Sequence, residues 1–479
     1  MYQPRNCSLF SLDRRKFLGA AAGAVALHAF PIPAGAGTRA YKLKAAPAPY
    51  IIDPKRSMVA ETWAYGGTVP GPVIRVQQNQ RLRIDFANGL SEATTVHWHG
   101  LRIPNAMDGV PDLTQPPIEA GQNFSYEFTP PDAGTFWYHP HLRATEQLGR
   151  GLYGVLVVEE PTPPKVDRDV IWAIDDWRIT DDGAISDDFD DRFDLDHGGR
   201  LGNFVTVNGK FLREFAVQAG ERLRLRLLNV ANARTFGLNF NGLEPVIIAL
   251  DGQPVPPHKP VNGRVTLGAG QRADVILDMA GKPGERITVR DEHFERESYD
   301  FVTFVHSPGK PLRESPLPTP KALAANPLPE PDLGTAVTQE VTIQGGAKGG
   351  LTEATFQGET WKTRKLFRKH RKAWTLNGVA FGDMKTPPMF VLKKNMSYLW
   401  QIRNDTTWEH PMHLHGHHFR LLKRNNKPVE HTPWLDTVLL APDESAQVAF
   451  VADNPGDWLF HCHILEHHVA GMGAIIRVG

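Results

Sequence analysis

Cysteine is nearly absent: the 479-residue chain has two, Cys7 and Cys462. An excess of either charge is absent too, with 53 Lys+Arg against 53 Asp+Glu. The first shortage excludes a disulfide-stapled scaffold. The second gives a nucleic-acid partner no support from bulk electrostatics. Long apolar runs are also missing. A modest one, Leu18 to Phe30, is too short to span a bilayer, and no other stretch looks transmembrane. It follows Ser11-Leu-Asp-Arg14-Arg15-Lys-Phe-Leu18, a twin-arginine pattern, and precedes Ala34-Gly-Ala36, a small-residue cleavage pattern. Residues 1–36 are therefore expected to be a signal handled by the twin-arginine export machinery, giving a periplasmic or otherwise exported protein with no membrane span. Its removal would leave 49 basic against 52 acidic residues, a formal −3, and would take Cys7 with it. Cys462 would then be the only thiol, unable to form an internal disulfide and free for chemistry.

Histidine, in contrast, is clustered. Cys462 lies in His461-Cys462-His463-Ile-Leu-Glu-His467-His468-Val-Ala-Gly-Met472. A thiolate, imidazoles and a distant thioether make up most of a blue-copper electron-transfer site. The missing imidazole is on offer at His410, in His410-Pro-Met-His413-Leu-His415-Gly-His417-His418-Phe419. His97-Trp98-His99-Gly100 and His139-Pro140-His141 supply more imidazoles than one metal ion can use. On a strand, His-x-His points both rings to one face. One such pair is a weak signal; four are a strong one. A zinc-only reading would leave Cys462 and Met472 without a role.

The chain also repeats a pattern. Val76–Asn88, Val217–Asn229 and Leu392–Asn404 each read as a turn followed by an alternating strand, with starts 141 and 175 residues apart. Those are domain-sized periods. A second echo joins only the outer copies: Gly134–His141 aligns with Gly456–His463, and His97–Gly100 with His413–Gly416. The first and third units should therefore supply matching halves of one site. The second has no His-x-His and reads as a spacer. Where Cys462 stands the first unit has Pro140, so only the third can hold a blue-copper site. Three β-sandwich domains are expected, at 40–160, 161–306 and 335–479, with a Pro-rich extended linker at 307–334. A short helical turn should follow His463.

With four histidine motifs in this order, the chain resembles the multicopper oxidases of the laccase-like, three-domain bacterial type. The resemblance implies an all-β fold of three cupredoxin-like Greek-key sandwiches and four copper ions. It assigns His410, Cys462, His467 and axial Met472 to a type 1 copper, with Ile464 on the opposite axial side. His97 and His413 would hold a type 2 copper. His99, His139, His141, His415, His461 and His463 would hold a type 3 pair. The implied reaction takes single electrons from a small phenolic or metal-ion donor, across the edge of His467, and reduces O2 to water. Asp108 matches an acid that the family places near the type 2 copper, as a proton relay. Where the family often has a second relay, a Glu, this chain has His468. Asp436 is a further candidate partner for a copper ligand. His417 and His418 are expected to face solvent or to support ligands.

Two charged segments bear on the donor. Lys362–Lys372 is strongly basic and reads as a solvated helix or lid, in a place where copper-efflux members carry methionines. Asp181–Asp196 holds eight Asp in sixteen residues and reads as a solvated loop, with a weak Ca2+ or Mn2+ site as the alternative. Phenols are the expected donors; Mn(II), Cu(I) or Fe(II) are the alternative. A non-enzymatic envelope protein is disfavoured by the complete ligand set.

Overall fold

The computed structural model describes residues 37–53, 58–313, 315 and 317–479. The export pattern and cleavage site expected within residues 1–36 lie outside them.

Three pairs of β-sheets follow one another along the chain. In the first, the strands Arg39–Asp53, Met58–Tyr65, Leu82–Asn88 and Asn123–Phe128 form one sheet; Gly71–Gln77, Gly154–Glu159, Gly134–His139 and His97–His99 form the other. Phe86, Trp98, Tyr126 and Leu156 fill the space between them. The second pair has six and five strands around a core that includes Trp172, Leu225, Phe236 and Phe304. The third packs the sheet containing Val337–Gly345, Ser397–Asp405 and Ser445–Val451 against the sheet containing His410–Leu414, Thr437–Leu440, Gly456–Cys462 and Gly473–Val478. Trp400, Met412, Phe460 and Cys462 lie in its core. Helices are short and few. Thr363–His370 occupies the basic segment, with Leu366 buried beneath it, and Leu465–Val469 follows His463.

Leu82–Asn88, Arg222–Asn229 and Ser397–Asp405 hold the same place in their sheets. Each runs parallel to an earlier strand on one side and antiparallel to a later one on the other. Each carries a buried Asn at or near its end, and the amide side chain ties down the loop that follows. Asn88 Nδ2 donates to Glu92 O and Ile118 O, Asn229 Nδ2 to Arg234 O and Leu267 O, and Asn404 Nδ2 to Trp408 O and Ala441 O. A buried amide so satisfied fixes where the next strand begins.

The outer two strands alternate buried and less buried residues, as one-faced strands should. Arg222–Asn229 is buried on both faces. Its Arg224 and Arg226 pair with Asp274 and Asp169 of their own domain and also reach Glu160 and Thr135 of the first. Residues 307–334 form no strand or helix among those described, yet they are pinned. Asn326 bonds to the N–H and C=O of Ala133 and to Gln253.

Candidate metal centre

Strand register decides which way each ligand points. Met412 pairs with Cys462, and His413 with His461. Side chains alternate across a strand, so Cys462 and Met412 enter the sandwich core while His461 and His413 leave by the opposite face. His410 lies three residues before His413, an odd number, and therefore faces inward beside Cys462. His97 pairs with His139 in the first domain, and His99 with Trp137. Trp98 goes to the core, and both histidines face out of it.

Inside the third domain, Cys462 Sγ lies 3.6 Å from His410 Nδ1 and 3.7 Å from His467 Nδ1, and the two nitrogens are 3.1 Å apart. A point about 2 Å from all three exists, close to the length of a metal–imidazole bond. The far nitrogen of each ring is committed elsewhere. His410 Nε2 meets Thr406 Oγ1 at 2.8 Å, and His467 Nε2 donates to the carbonyl of His197 at 2.6 Å. Both Nδ1 atoms are therefore left with lone pairs turned to the thiol. Burial holds His467 down to about 3 and His410 well below its usual range, so both rings are neutral. Burial also pushes the Cys462 thiol up, so metal binding must displace a proton there. Met472 is fully buried in the same core, and its carbonyl accepts from Cys462 N–H at 3.1 Å. Trp374 packs 4.3 Å from the His467 ring and donates to Leu195 O.

The remaining histidines converge between the first and third domains. They form three buried groups of close nitrogens: His97, His99 and His413; His99, His139 and His463; His141, His415 and His461. His415 Nε2 and His141 Nε2 lie 3.1 and 3.4 Å from His461 Nε2. The opposite nitrogens meet fixed oxygens. His97 reaches Asp108 O, His139 reaches Pro140 O, His461 reaches Cys462 O and His413 reaches Asp436 O. Two carboxylates complete the set. Asp108 Oδ2 accepts from His415 at 2.8 Å, and Asp436 Oδ1 accepts from His99 at 3.0 Å. His97 Nε2, His99 Nδ1, His139 Nε2, His413 Nε2 and His463 Nε2 are buried with no hydrogen-bond partner among the described residues. Buried nitrogens are rarely left so. Inward-turned and unpartnered imidazoles fit metal ions, and a thiolate–imidazole set beside them fits copper. Burial first, and neighbouring imidazoles second, hold His139, His141, His415 and His461 well below the usual histidine range.

All the histidine and cysteine candidates named from sequence thus fall into these two neighbouring sites, and Met472 is buried in the same core as Cys462. Asp108 and Asp436 each contact two of the histidines. His468 lies beside the cluster, its ring 4.6 Å from that of His461; burial, then Lys372, holds it down to about 4. One expectation changes and two are refined. The edge of His467 is not open to solvent, because the His197 carbonyl covers it. His417 and His418 are both buried, against Trp458 and near Asp436 respectively, which removes the solvent-facing alternative and leaves His418 in the ligand-supporting one. The acidic segment keeps six of its eight Asp exposed, and three of the eight pair with arginine. Asp188 and Asp194 meet Arg178, Asp188 also meets Arg200, and Asp187 meets Arg150. No three-ligand group was found in it among the described residues. Sequence reasoning missed Thr406, the His197 carbonyl and Arg272. Nothing in their local motifs marks them: the His197 carbonyl and Arg272 act from the middle domain, and Thr406 acts through the local turn between two strands.

Models of the multicopper oxidase family match residues 50–163, 168–291 and 353–479. A multi-copper oxidase from Pseudomonas thermotolerans superposes with a TM-score of 0.80 and 34% identity, over 93% of this chain and 100% of that one. A laccase-like multi-copper oxidase of Ochrobactrum sp. gives a TM-score of 0.76 and 25% identity over 92% and 97%. Multicopper oxidase MmcO of Mycobacterium tuberculosis is 29% identical over 86% of this chain and 82% of its own length. The three sheet pairs are cupredoxin-like domains. The chain belongs to the multicopper oxidases, copper oxidoreductases that use O2.

Proposed function

We propose that this enzyme is laccase-like, oxidising phenolic or other aromatic donors one electron at a time and reducing O2 to water with four copper ions. His410, Cys462 and His467, with Met472 axial, would hold the type 1 copper. His97 and His413 would hold type 2, and the other six histidines the type 3 pair. Bound copper supplies the one-electron redox chemistry and the oxygen binding. The observation that carries the reading is the placement of Cys462 in the third-domain core, on a strand whose neighbouring His461 faces the interdomain cluster. One tripeptide then connects donor side and oxygen side. Asp108, bonded to His97 and His415, would pass protons to the oxygen side, with His468 beside His461 as a second relay. The signal at residues 1–36 would export the enzyme through the twin-arginine machinery.

The aromatic preference rests on the surface outside His467. The ring of His197 stacks on Phe193 at 3.8 Å and lies 5.4 Å from Trp408, and Phe193 is 64% exposed. A planar donor would find faces there, and the electron would pass through the His197 carbonyl to His467. The Ochrobactrum relative, whose oxidase activity extends to lignin model compounds and lignosulfonate, is in keeping with this preference. Metal-ion oxidation is the second reading, favoured by the acidic segment leading directly into His197. Oxygen uptake by the copper-loaded enzyme separates the two, with 2,6-dimethoxyphenol, Mn2+ and Cu+ compared side by side. Phenol turnover that disappears in Cys462→Ser is the expected result. Turnover of a metal ion with negligible phenol oxidation would replace the donor assignment, and no uptake with any donor would overturn the oxidase reading for this chain.

A further inference from the structure

The middle domain supplies none of the histidine ligands, yet it sends a guanidinium into the wall of the cluster. Arg272 is fully buried. It forms a two-pronged ion pair with Asp436, Nη1 to Oδ1 at 2.8 Å and Nη2 to Oδ2 at 2.6 Å. Such fork-to-fork pairs fix orientation as well as charge. The same Asp436 Oδ1 accepts from His99 Nε2, and the Asp436 carbonyl accepts from His413 Nδ1. One carboxylate residue therefore orients a ring from the first domain and a ring from the third, while its counter-charge comes from the second. The seat is tight. A Cβ on Gly100 would collide with both Arg272 and Asp436. Asp251, also of the middle domain, accepts from Arg272 N and Thr437 N, locking the backbone on either side of the pair. Gly270, at φ +85°, leaves room for the cluster, since a Cβ there would lie 2.8 Å from the His463 ring.

We propose that Arg272 is a positioning residue for the trinuclear copper site. Its two-pronged pair holds Asp436 in place and aimed, so that His99 and His413 each present one nitrogen to metal. The inference rests on the multicopper reading above and adds a task for the middle domain beyond spacing. Without Arg272 the carboxylate would be a buried, uncompensated charge. It would turn away, and His99 would lose the acceptor that fixes its tautomer. The type 1 site lies on the other face of the strand Gly456–Cys462 and does not touch this pair.

The test uses the copper-loaded enzyme and Arg272→Met, followed by paramagnetic resonance, absorption and chelator titration. The expected result is that the blue thiolate-to-copper band persists. The type 2 signal and the type 3 near-ultraviolet shoulder should be lost at about 10–100-fold lower chelator concentration than in the parent. Arg272→Lys, which keeps the charge and loses the fork, should fall between the two, and it takes over the test if the Met variant does not fold. Arg150→Met, which breaks an ion pair to Asp187 away from the cluster, should behave like the parent. Equal chelator resistance in the Arg272 variants, or a blue band that collapses in step with the other signals, would overturn the proposal. A parent enzyme with no type 2 or type 3 signal would instead sink the multicopper reading on which it rests.

Discussion

On the laccase-like reading, Phe193 would act on donors without touching a copper ligand. It is exposed, on the five-residue helix Arg192–Asp196, and its ring lies flat on that of His197. The His197 carbonyl in turn covers the only nitrogen of His467 that could have met a donor directly. A donor must therefore gain its binding energy from the outer rings rather than from the ligand's edge. Aromatic pairs contribute about 0.5–1.5 kcal/mol beyond area burial. Phe193→Ala should then raise KM for phenols roughly 2–10-fold, by the relation of 1.36 kcal/mol to a factor of ten. The blue band should not change, because no ligand or ligand partner moves. Steady-state kinetics check it: an unchanged KM with a lowered kcat would place donor binding elsewhere.

At the scale of elements, strand Ser397–Asp405 shows what was legible in the sequence and what was not. The pattern ending in Asn404 stands out because its counterparts end in Asn88 and Asn229, and a buried amide at that place performs one structural task three times. The histidine motifs were legible for a similar reason: period-two alternation on a strand needs no long-range information. What lies past Asn404 was not legible. Asn404 Oδ1 accepts from Thr406 Oγ1 at 2.7 Å, which leaves that oxygen to accept from His410 Nε2. A loop anchor common to three domains has thus become, in the third, the support of His410, the proposed type 1 ligand. Thr406→Val removes the acceptor and frees the His410 ring to change tautomer. It should weaken type 1 copper binding about 10–100-fold, the usual cost of losing a ligand's outer partner, and leave the type 2 resonance intact. Copper retention on dialysis, followed by both resonance signals, measures it. Arg272 and the His197 carbonyl were illegible for a different physical reason, since both reach their targets from another domain.

At the scale of the whole molecule, the centre is a set of neutral imidazoles enclosed by three domains, and that enclosure makes the copper-free protein acid-sensitive. Burial holds His417 down to about 4, whereas an unfolded histidine titrates near 6.5. Between those values the unfolded chain binds a proton that the folded one refuses, so stability rises with pH. The contribution is fully present above about pH 6.5 and is lost as pH falls towards 4, at about 1.4 kcal/mol per pH unit for each such ring. His467 and His468 add to it in the same direction. His417 is the clean probe, because it lies outside the ligand set and packs on Trp458. In copper-free protein, urea unfolding between pH 6.5 and 4.5 should show stability falling with pH. His417→Gln, which keeps a donor for the His415 carbonyl and does not titrate, should make the slope shallower by about 1.4 kcal/mol per unit. An unchanged slope would mean that His417 already takes up its proton in the folded state. Copper, which binds the folded arrangement and finds no such site in the unfolded chain, should raise the melting temperature at pH 7, and chelation should lower it again.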